Sequence, residues 1–293
     1  LCHLAIARMT PRIEVVAFSD RSRWLTKVLS KNIGIPGSTD YRKMISKEAL
    51  DGVIASVPNL LHGEVALYCL NRGLHLFIEK PLTLDPQTSK AIATIAETQE
   101  LVNQVGYVNR ANPVFAHARK LIRSGVIGEV QTYYSEMVGG VVLKPTTGGW
   151  RNDYSKGGGC LYDYGPHCID LAVYLFGSDA TVTGASVKSI HSSHVDDMVT
   201  AIFRHDNGTV GRIYVNWSDP TQRKANNQVS VQGSAGKLCF SKQELTLHLN
   251  EARPDMNLPS GWSQHFITDQ STEVDFYLRG EDFSRQMVGF ASR

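Results

Sequence analysis

Apolar positions in the first hundred residues follow two alternating patterns. Short runs such as Ile13-Glu14-Val15-Val16-Ala17-Phe18 are separated by longer stretches in which apolar residues recur every three or four positions. The runs predict strands over 13–18, 50–57, 74–79 and 101–107. The periodic stretches predict helices over 1–9, 22–31, 62–71 and 86–100. Pro11 closes the first helix, Gly34-Ile35-Pro36-Gly37 turns the chain after the second, and Gly73 caps the third. Strands alternating with helices over connections of a few residues predict a parallel, doubly wound α/β sheet.

Past residue 110 the pattern changes. A helix over 113–124 leads through Gly125-Val126-Ile127-Gly128 into a strand over 129–137. Leu161, Ile169, Ala172 and Leu175 then fit one helix, which Gly177 ends. Beyond it the period becomes two: Val210, Arg212, Tyr214 and Asn216 alternate with Gly211, Ile213, Val215 and Trp217. Asn207-Gly208 is a hairpin signal, and Gly233-Ser234-Ala235-Gly236 joins strands over 228–232 and 237–240. Further strands are predicted over 244–249 and 264–269. The expectation is an α/β domain over 1–110, then an α+β domain over 111–293 with an open antiparallel sheet. The motif helix covers one face of that sheet, and solvent or a partner covers the other. The last stretch, 281–293, reads as a helix interrupted in mid-course. No internal repeat or low-complexity tract is present.

Composition narrows the function classes. The chain has 293 residues, 42% hydrophobic and 20% charged, enough for a large core. A formal charge of +2 without a dense basic block disfavours nucleic acid as the main partner. No apolar run approaches the roughly 18 residues that span a bilayer, and no signal peptide opens the sequence. The five cysteines are scattered, odd in number and without metal-site spacing. Together these features predict a soluble, reduced, cytoplasmic protein.

Candidate chemistry concentrates in one stretch, Gly157-Gly158-Gly159-Cys160-Leu161-Tyr162-Asp163-Tyr164-Gly165-Pro166-His167-Cys168-Ile169-Asp170. Three glycines free the backbone to approach a ligand. On a continuous helix Asp163 and His167 lie on one face, one turn apart. A carboxylate beside an imidazole can orient the ring for proton transfer near neutral pH, although an ordinary intrahelical pair has the same spacing. Parallel sheets bind ligands at the carboxyl ends of their strands. That rule singles out Asp20, Pro58-Asn59, Glu79-Lys80-Pro81 and the stretch from Tyr107 to Arg110. Asp20 suits the two ribose hydroxyls of a dinucleotide and would repel a 2′-phosphate, favouring NAD, whereas Arg21 could pair with that phosphate. Asp20 could equally cap the next helix, and Asn59 and His62 could serve the turn. His191, His194, Asp196 and Asp197 read as a solvated loop rather than a metal site, with entry of the two aspartates into a substrate site left open.

Glu79-Lys80-Pro81, Val57-Pro58-Asn59-Leu60-Leu61-His62, Trp150-Arg151 and the glycine-led motif occur in the order of the Gfo/Idh/MocA family, which the chain resembles over essentially its whole length. The resemblance implies a Rossmann-type first domain and an NAD(P)-dependent oxidoreductase acting on a sugar, nucleotide-sugar or cyclitol. By the same resemblance Lys80, Asp163 and His167 are the catalytic set, and Asp170 is an orienting or structural residue. Asp20, Arg21, Pro58, Asn59, His62, Glu79, Lys80, Trp150 and Arg151 would line the cofactor. Tyr107 and Arg110, with Asp163 and His167, would face the substrate. It also implies a homodimer or homotetramer through the antiparallel sheet; no metal is expected, because Cys160, Cys168 and His167 lack the spacing of a zinc site. The departure is the absence of a G-x-G-x-x-G loop after an opening strand, so the sequence reads as starting in the following helix. Two rivals come from other classes, a dinucleotide-sensing regulator without turnover and an NAD-dependent glycoside hydrolase; within the redox class the alternative is an imine or enone reductase.

Overall fold

The computed structural model describes residues 1–143, 149–177, 179–270 and 273–293. They form two compact units, one of Leu1–Val57, Leu61–Gly106 and Val274–Arg293, the other of Pro58–Leu60 and Tyr107–Glu273.

In the first unit the predicted alternation is present. Helix α1 (Cys2–Met9) is followed by strand β1 (Phe18–Ser19), α2 (Arg23–Ile33), β2 (Gly37–Ser38) and α3 (Tyr41–Lys47). Next come β3 (Gly52–Ala55), α4 (His62–Leu70), β4 (His75–Ile78), α5 (Pro86–Thr98) and β5 (Asn103–Val105). Strands β3, β4 and β5 form a parallel sheet in that order, while β1 and β2 pair separately. The strand expected over 13–18 is regular only at its end, and the backbone before it lines a cavity instead.

Strand β4 shows why the sheet is buried on both faces. Leu76 and Ile78 pack with Ala66, Leu70, Ile92 and Ala96 of α4 and α5. Phe77 points the other way, against Ile6 of α1 and Met287 of the last helix. A residue period of two thus feeds two helical layers. The last helix accounts for a correction to the expected division at residue 110. Its apolar stripe, with Phe283, Met287 and Phe290, belongs to the core around Phe77, so residues 274–293 join the first unit.

In the second unit, α6 (Pro113–Arg123) leads into the long strand β6 (Val130–Val138). Short helix α7 (Cys160–Asp163) and helix α8 (Gly165–Phe176) precede β7 (Ala180–Lys188), β8 (Met198–His205), β9 (Val210–Asn216) and β10 (Asn226–Gly233). Strands β11 (Gly236–Ser241), β12 (Glu244–Leu249) and β13 (Gly261–Phe266), a helical turn α9 (Ile267–Gln270) and the last helix α10 (Glu281–Ala291) complete the chain.

The eight strands of this unit are ordered β13-β12-β11-β10-β6-β9-β8-β7. All neighbours are antiparallel except β6 and β9, so the sheet is mixed rather than purely antiparallel. Between β6 and β9 the chain passes through α7, α8, β7 and β8, a crossover long enough to return parallel. The inward residues of the strands, among them Val215, Val231, Leu238, Leu245 and Leu247, bury against Phe115, Ala118 and Leu171 of α6 and α8. Of the strand expected over 264–269, residues 267–269 fall in α9, and the strand before them begins at Gly261. Among the described residues no helix is long and apolar enough to cross a membrane.

Candidate functional site

In the first unit, β4 delivers Glu79 and Lys80 to its carboxyl end. The Glu79 N–H still bonds the Ala55 carbonyl across the sheet (3.1 Å), after which the chain leaves the ladder through a cis Lys80-Pro81 peptide. The Glu79 carboxylate turns back into the unit and accepts from His3 Nε2 at 2.6 Å and from the Lys80 N–H at 3.3 Å. Burial pushes this carboxyl upward, but the His3 bond and charge, with help from Lys80, bring it net below the usual range. Lys80 itself is half-buried.

His62 has a different place from the one the resemblance implies. It is fully buried, with Nδ1 2.6 Å from the Pro81 carbonyl and Nε2 2.9 Å from the Val57 carbonyl. Both ring nitrogens face the backbone, so the ring is a strut between two strand ends and presents no edge to a ligand. Asn59, just after Pro58, is buried, and its amide nitrogen has no partner among the described residues.

Asp20 follows β1. The cap of α2 is Ser22, whose hydroxyl accepts the Leu25 N–H (3.2 Å), so Asp20 is not that cap. Its Oδ1 accepts the Ser22 N–H at 2.8 Å, which fixes the carboxylate at the mouth of a cavity of about 300 Å³. Leu4, Val16, Ile54, Ser56 and Val57 line the same cavity. Arg21 and Arg23 are exposed beside it.

In the second unit the three glycines serve the chain itself. Gly157 and Gly159 have φ of +78° and +103°, which L side chains rarely adopt. A Cβ on Gly158 would lie 2.5 Å from the Arg151 carbonyl oxygen, and one on Gly159 would lie 2.2 Å from Asp196 Oδ1. The loop therefore folds tightly on its own neighbours, a correction to the expectation of open backbone for a ligand.

Asp163 and His167 are not on one continuous helix. Asp163 is the last residue of α7, Tyr164 separates the helices, and His167 lies in the first turn of α8. Pro166 is the cause: it has no N–H for the i→i−4 ladder, and the His167 N–H instead makes a tight bond to the Tyr164 carbonyl (3.1 Å). The Asp163 carboxylate is 6% exposed and accepts from Arg151 Nε at 2.9 Å. The Arg151 guanidinium lies 4.6 Å from the centre of the Trp150 ring. The half-buried His167 follows four residues later.

Asp196 and Asp197 are buried, not solvated, and only His191 and His194 of that cluster are exposed. Asp196 accepts from the Leu161 N–H (2.7 Å) and the Cys160 thiol (3.1 Å), so it caps the short helix that ends in Asp163. Burial, then the Asp196 carboxylate, pushes the Cys160 thiol far up, leaving it inert. Asp197 accepts from the N–H groups of Ile190, His191 and Ser192, the Ser192 hydroxyl and the Trp217 indole. Burial raises its pKa, and these donors more than reverse that, to about 2.

Arg110 grips Asp170, with Nε 2.9 Å and a terminal nitrogen 2.7 Å from Oδ1. The Asp170 side chain is 5% exposed and the Arg110 side chain 45%. Burial raises the Asp170 carboxyl against the pull of Arg110. Burial, then the Asp170 charge, pushes the nearby Tyr107 phenol up to about 12. The aspartate that ends the sequence motif thus orients Arg110. His3 carries no signal in the sequence, and Asp196 carries none for its capping role beyond its place in an acidic pair.

Comparison with known proteins adds independent findings. Residues 2–107 match the oxidoreductase family with an NAD-binding Rossmann fold, and residues 115–239 match the GFO/IDH/MocA C-terminal domain. A levoglucosan dehydrogenase of Pseudarthrobacter phenanthrenivorans is 27% identical over 240 residues, covering 72% of this chain and 61% of the relative. The scyllo-inositol 2-dehydrogenase (NAD(+)) of Bacillus subtilis is 25% identical over 217 residues, again 72% of this chain and 61% of the relative. The matches therefore span about three fifths of the length of these curated relatives. A levoglucosan dehydrogenase in complex with NADH and levoglucosan superposes with a TM-score of 0.84 over 99% of this chain and 84% of that one, at 23% identity, a likeness of fold. With both of its domains matched in order, the chain belongs to the Gfo/Idh/MocA family of oxidoreductases.

Proposed function

We propose that the protein is an NAD(P)-dependent oxidoreductase that interconverts a ring hydroxyl and a ketone on a sugar, nucleotide-sugar or cyclitol. The observation that carries this reading is the buried Asp163 carboxylate, paired with half-exposed Arg151 and followed four residues later by half-buried His167. The names of the relatives, dehydrogenases of levoglucosan and of an inositol, support the substrate class.

The cavity beside Asp20 falls at the lower end of the roughly 300–1,000 Å³ typical of small-molecule sites. Its lining is largely apolar and includes the Asp20 carboxylate, which suits a ribose. Asp20, Pro58 and Asn59 would hold the cofactor, with Lys80, Trp150 and Arg151 toward its reactive end, while Glu79, turned inward to His3, does not line it. The bound nicotinamide supplies the two-electron acceptor. Asp20 Oδ2 has no partner among the described residues and is suited to a ribose diol, so NAD ranks ahead of NADP.

His167 takes the proton of the reacting hydroxyl, and Lys80 donates a hydrogen bond to the oxygen as negative charge develops. Asp163, held by Arg151, orients the substrate and stabilises the charge gained by His167. Arg110, aligned by Asp170, and Tyr107 contact substrate hydroxyls. In His167→Ala, turnover should fall by about 10²–10⁴-fold, the usual contribution of a positioned base, with nicotinamide binding retained. Turnover unchanged with binding intact would remove the proton-transfer role.

A further inference from the structure

Lys80 stands between two residues that are each tied to a histidine. On one side Glu79 is bound by His3 at 2.6 Å, and on the other the Pro81 carbonyl is bound by His62 at 2.6 Å. The second tie holds backbone only. The first is a side-chain pair brought together across 76 residues of sequence, from α1 to the end of β4.

The Glu79 side chain, 25% exposed, is closely approached on one side. Gly106, following β5, lies so close that a Cβ there would come within 2.9 Å of Glu79 Oε2. The other oxygen is taken by His3, whose ring is 12% exposed and rests against Phe77 (5.4 Å between ring centres) and Phe283 (6.5 Å). His3 Nδ1 is buried without a partner among the described residues, so the polar chemistry of this ring is directed at Glu79. The Lys80 N–H donates to the same carboxylate. A charged acid beside an active lysine could have faced the ligand. Here it is turned inward, bound from α1 by His3, closely approached by Gly106 and coupled to the Lys80 backbone.

We infer that His3 and Glu79 are positioning residues that fix the backbone from which Lys80 extends. Their importance for turnover rests on the reading of Lys80 as the donor to the substrate oxygen, whereas their effect on the lysine itself does not. Charge-assisted bonds of this kind hold geometry more tightly than neutral ones, and sub-ångström placement of a catalytic group is what such supports supply.

The test reads Lys80 directly. Lysines of the full chain are reductively methylated with isotopically labelled methyl groups, and the Lys80 resonance is assigned by its loss in Lys80→Arg. In His3→Ala that resonance should shift by more than its width or broaden, and in His3→Gln, which keeps a donor for Glu79, it should return toward the wild-type position. Glu79→Gln, which keeps the shape but weakens the tie to His3, should fall between them and keeps the test open if His3→Ala does not fold. A Lys80 resonance identical to wild type in folded His3→Ala and Glu79→Gln would overturn the inference, even if both variants melt earlier. Turnover of Lys80→Ala tests the other reading separately. Full turnover there, with the resonance still moved by His3→Ala, would remove the catalytic role of Lys80 and leave the positioning role standing.

Discussion

Replacing Asp197 by Asn should destabilise the second unit and loosen the helix that ends in Asp163. Asp197 is fully buried and follows Asp196, the cap of that helix. Its pKa of about 2 lies roughly two units below the ordinary value of about 3.9. At about 1.4 kcal/mol per unit, the ionised carboxylate contributes about 2–3 kcal/mol at neutral pH. An Asn can keep one oxygen on the Ile190, His191 and Ser192 N–H groups, but its amide nitrogen then faces the Trp217 indole N–H, two donors in contact. At about 2–4 °C per kcal/mol for a unit of this size, the melting temperature should fall by about 4–12 °C. The pH dependence has a definite sign. The folded pKa is depressed, so the stabilisation is complete above about pH 4 and is lost as pH falls toward about 2. Thermal melts of wild type and Asp197→Asn over that range should converge on acidification. A variant within about 0.5 kcal/mol of wild type at neutral pH, or a gap that does not narrow, would refute the reasoning.

Two further perturbations test the local geometry. Arg110→Ala leaves the Asp170 carboxylate buried and unpaired, and should cost about 3–5 kcal/mol; Asp170→Asn leaves an arginine that can still reach water, and should cost about 1–3 kcal/mol. Denaturant melts showing the reverse order would contradict the assigned burial of the pair. Gly159→Ala must adopt a φ near +103° and place a methyl against Asp196, so it should lose at least about 1–3 kcal/mol and most turnover. A wild-type melting temperature for that variant would show that the loop relaxes at little cost.

The parallel sheet was legible because β3, β4 and β5 are apolar runs between helices of helical period, and Phe77 among aliphatic neighbours fits burial on both faces. The hairpin at Asn207-Gly208 was equally plain, with Gly208 at φ +89°. Other features had no local signature. Strand β7 is an edge strand exposed along most of its length, so its polarity does not alternate. The parallel pairing of β6 with β9 and the return of α10 to the Phe77 core depend on contacts remote in sequence. The break between Asp163 and His167 was legible in principle, since Pro166 sits inside the helical run, but the apolar period overrode it. The motif residues Lys80, Asp163 and His167 could be named from sequence, whereas the partners that hold them could not. His3, Asp196 and Arg151 reach their targets through folding, and Asp170 proved to serve Arg110.

The measurement that bears most directly on the proposed chemistry is reduction of nicotinamide by a panel of sugars and cyclitols, followed by absorbance with NAD and NADP in parallel. Wild type is run beside Lys80→Ala and His167→Ala, with NADH binding checked by fluorescence in all three. The result expected is reduction by at least one ring alcohol, faster with NAD, and lost in both variants while NADH still binds. Nicotinamide binding by all three proteins with equal turnover, or with no ring alcohol oxidised by wild type, would contradict the assignment of Lys80 and His167 to hydroxyl oxidation.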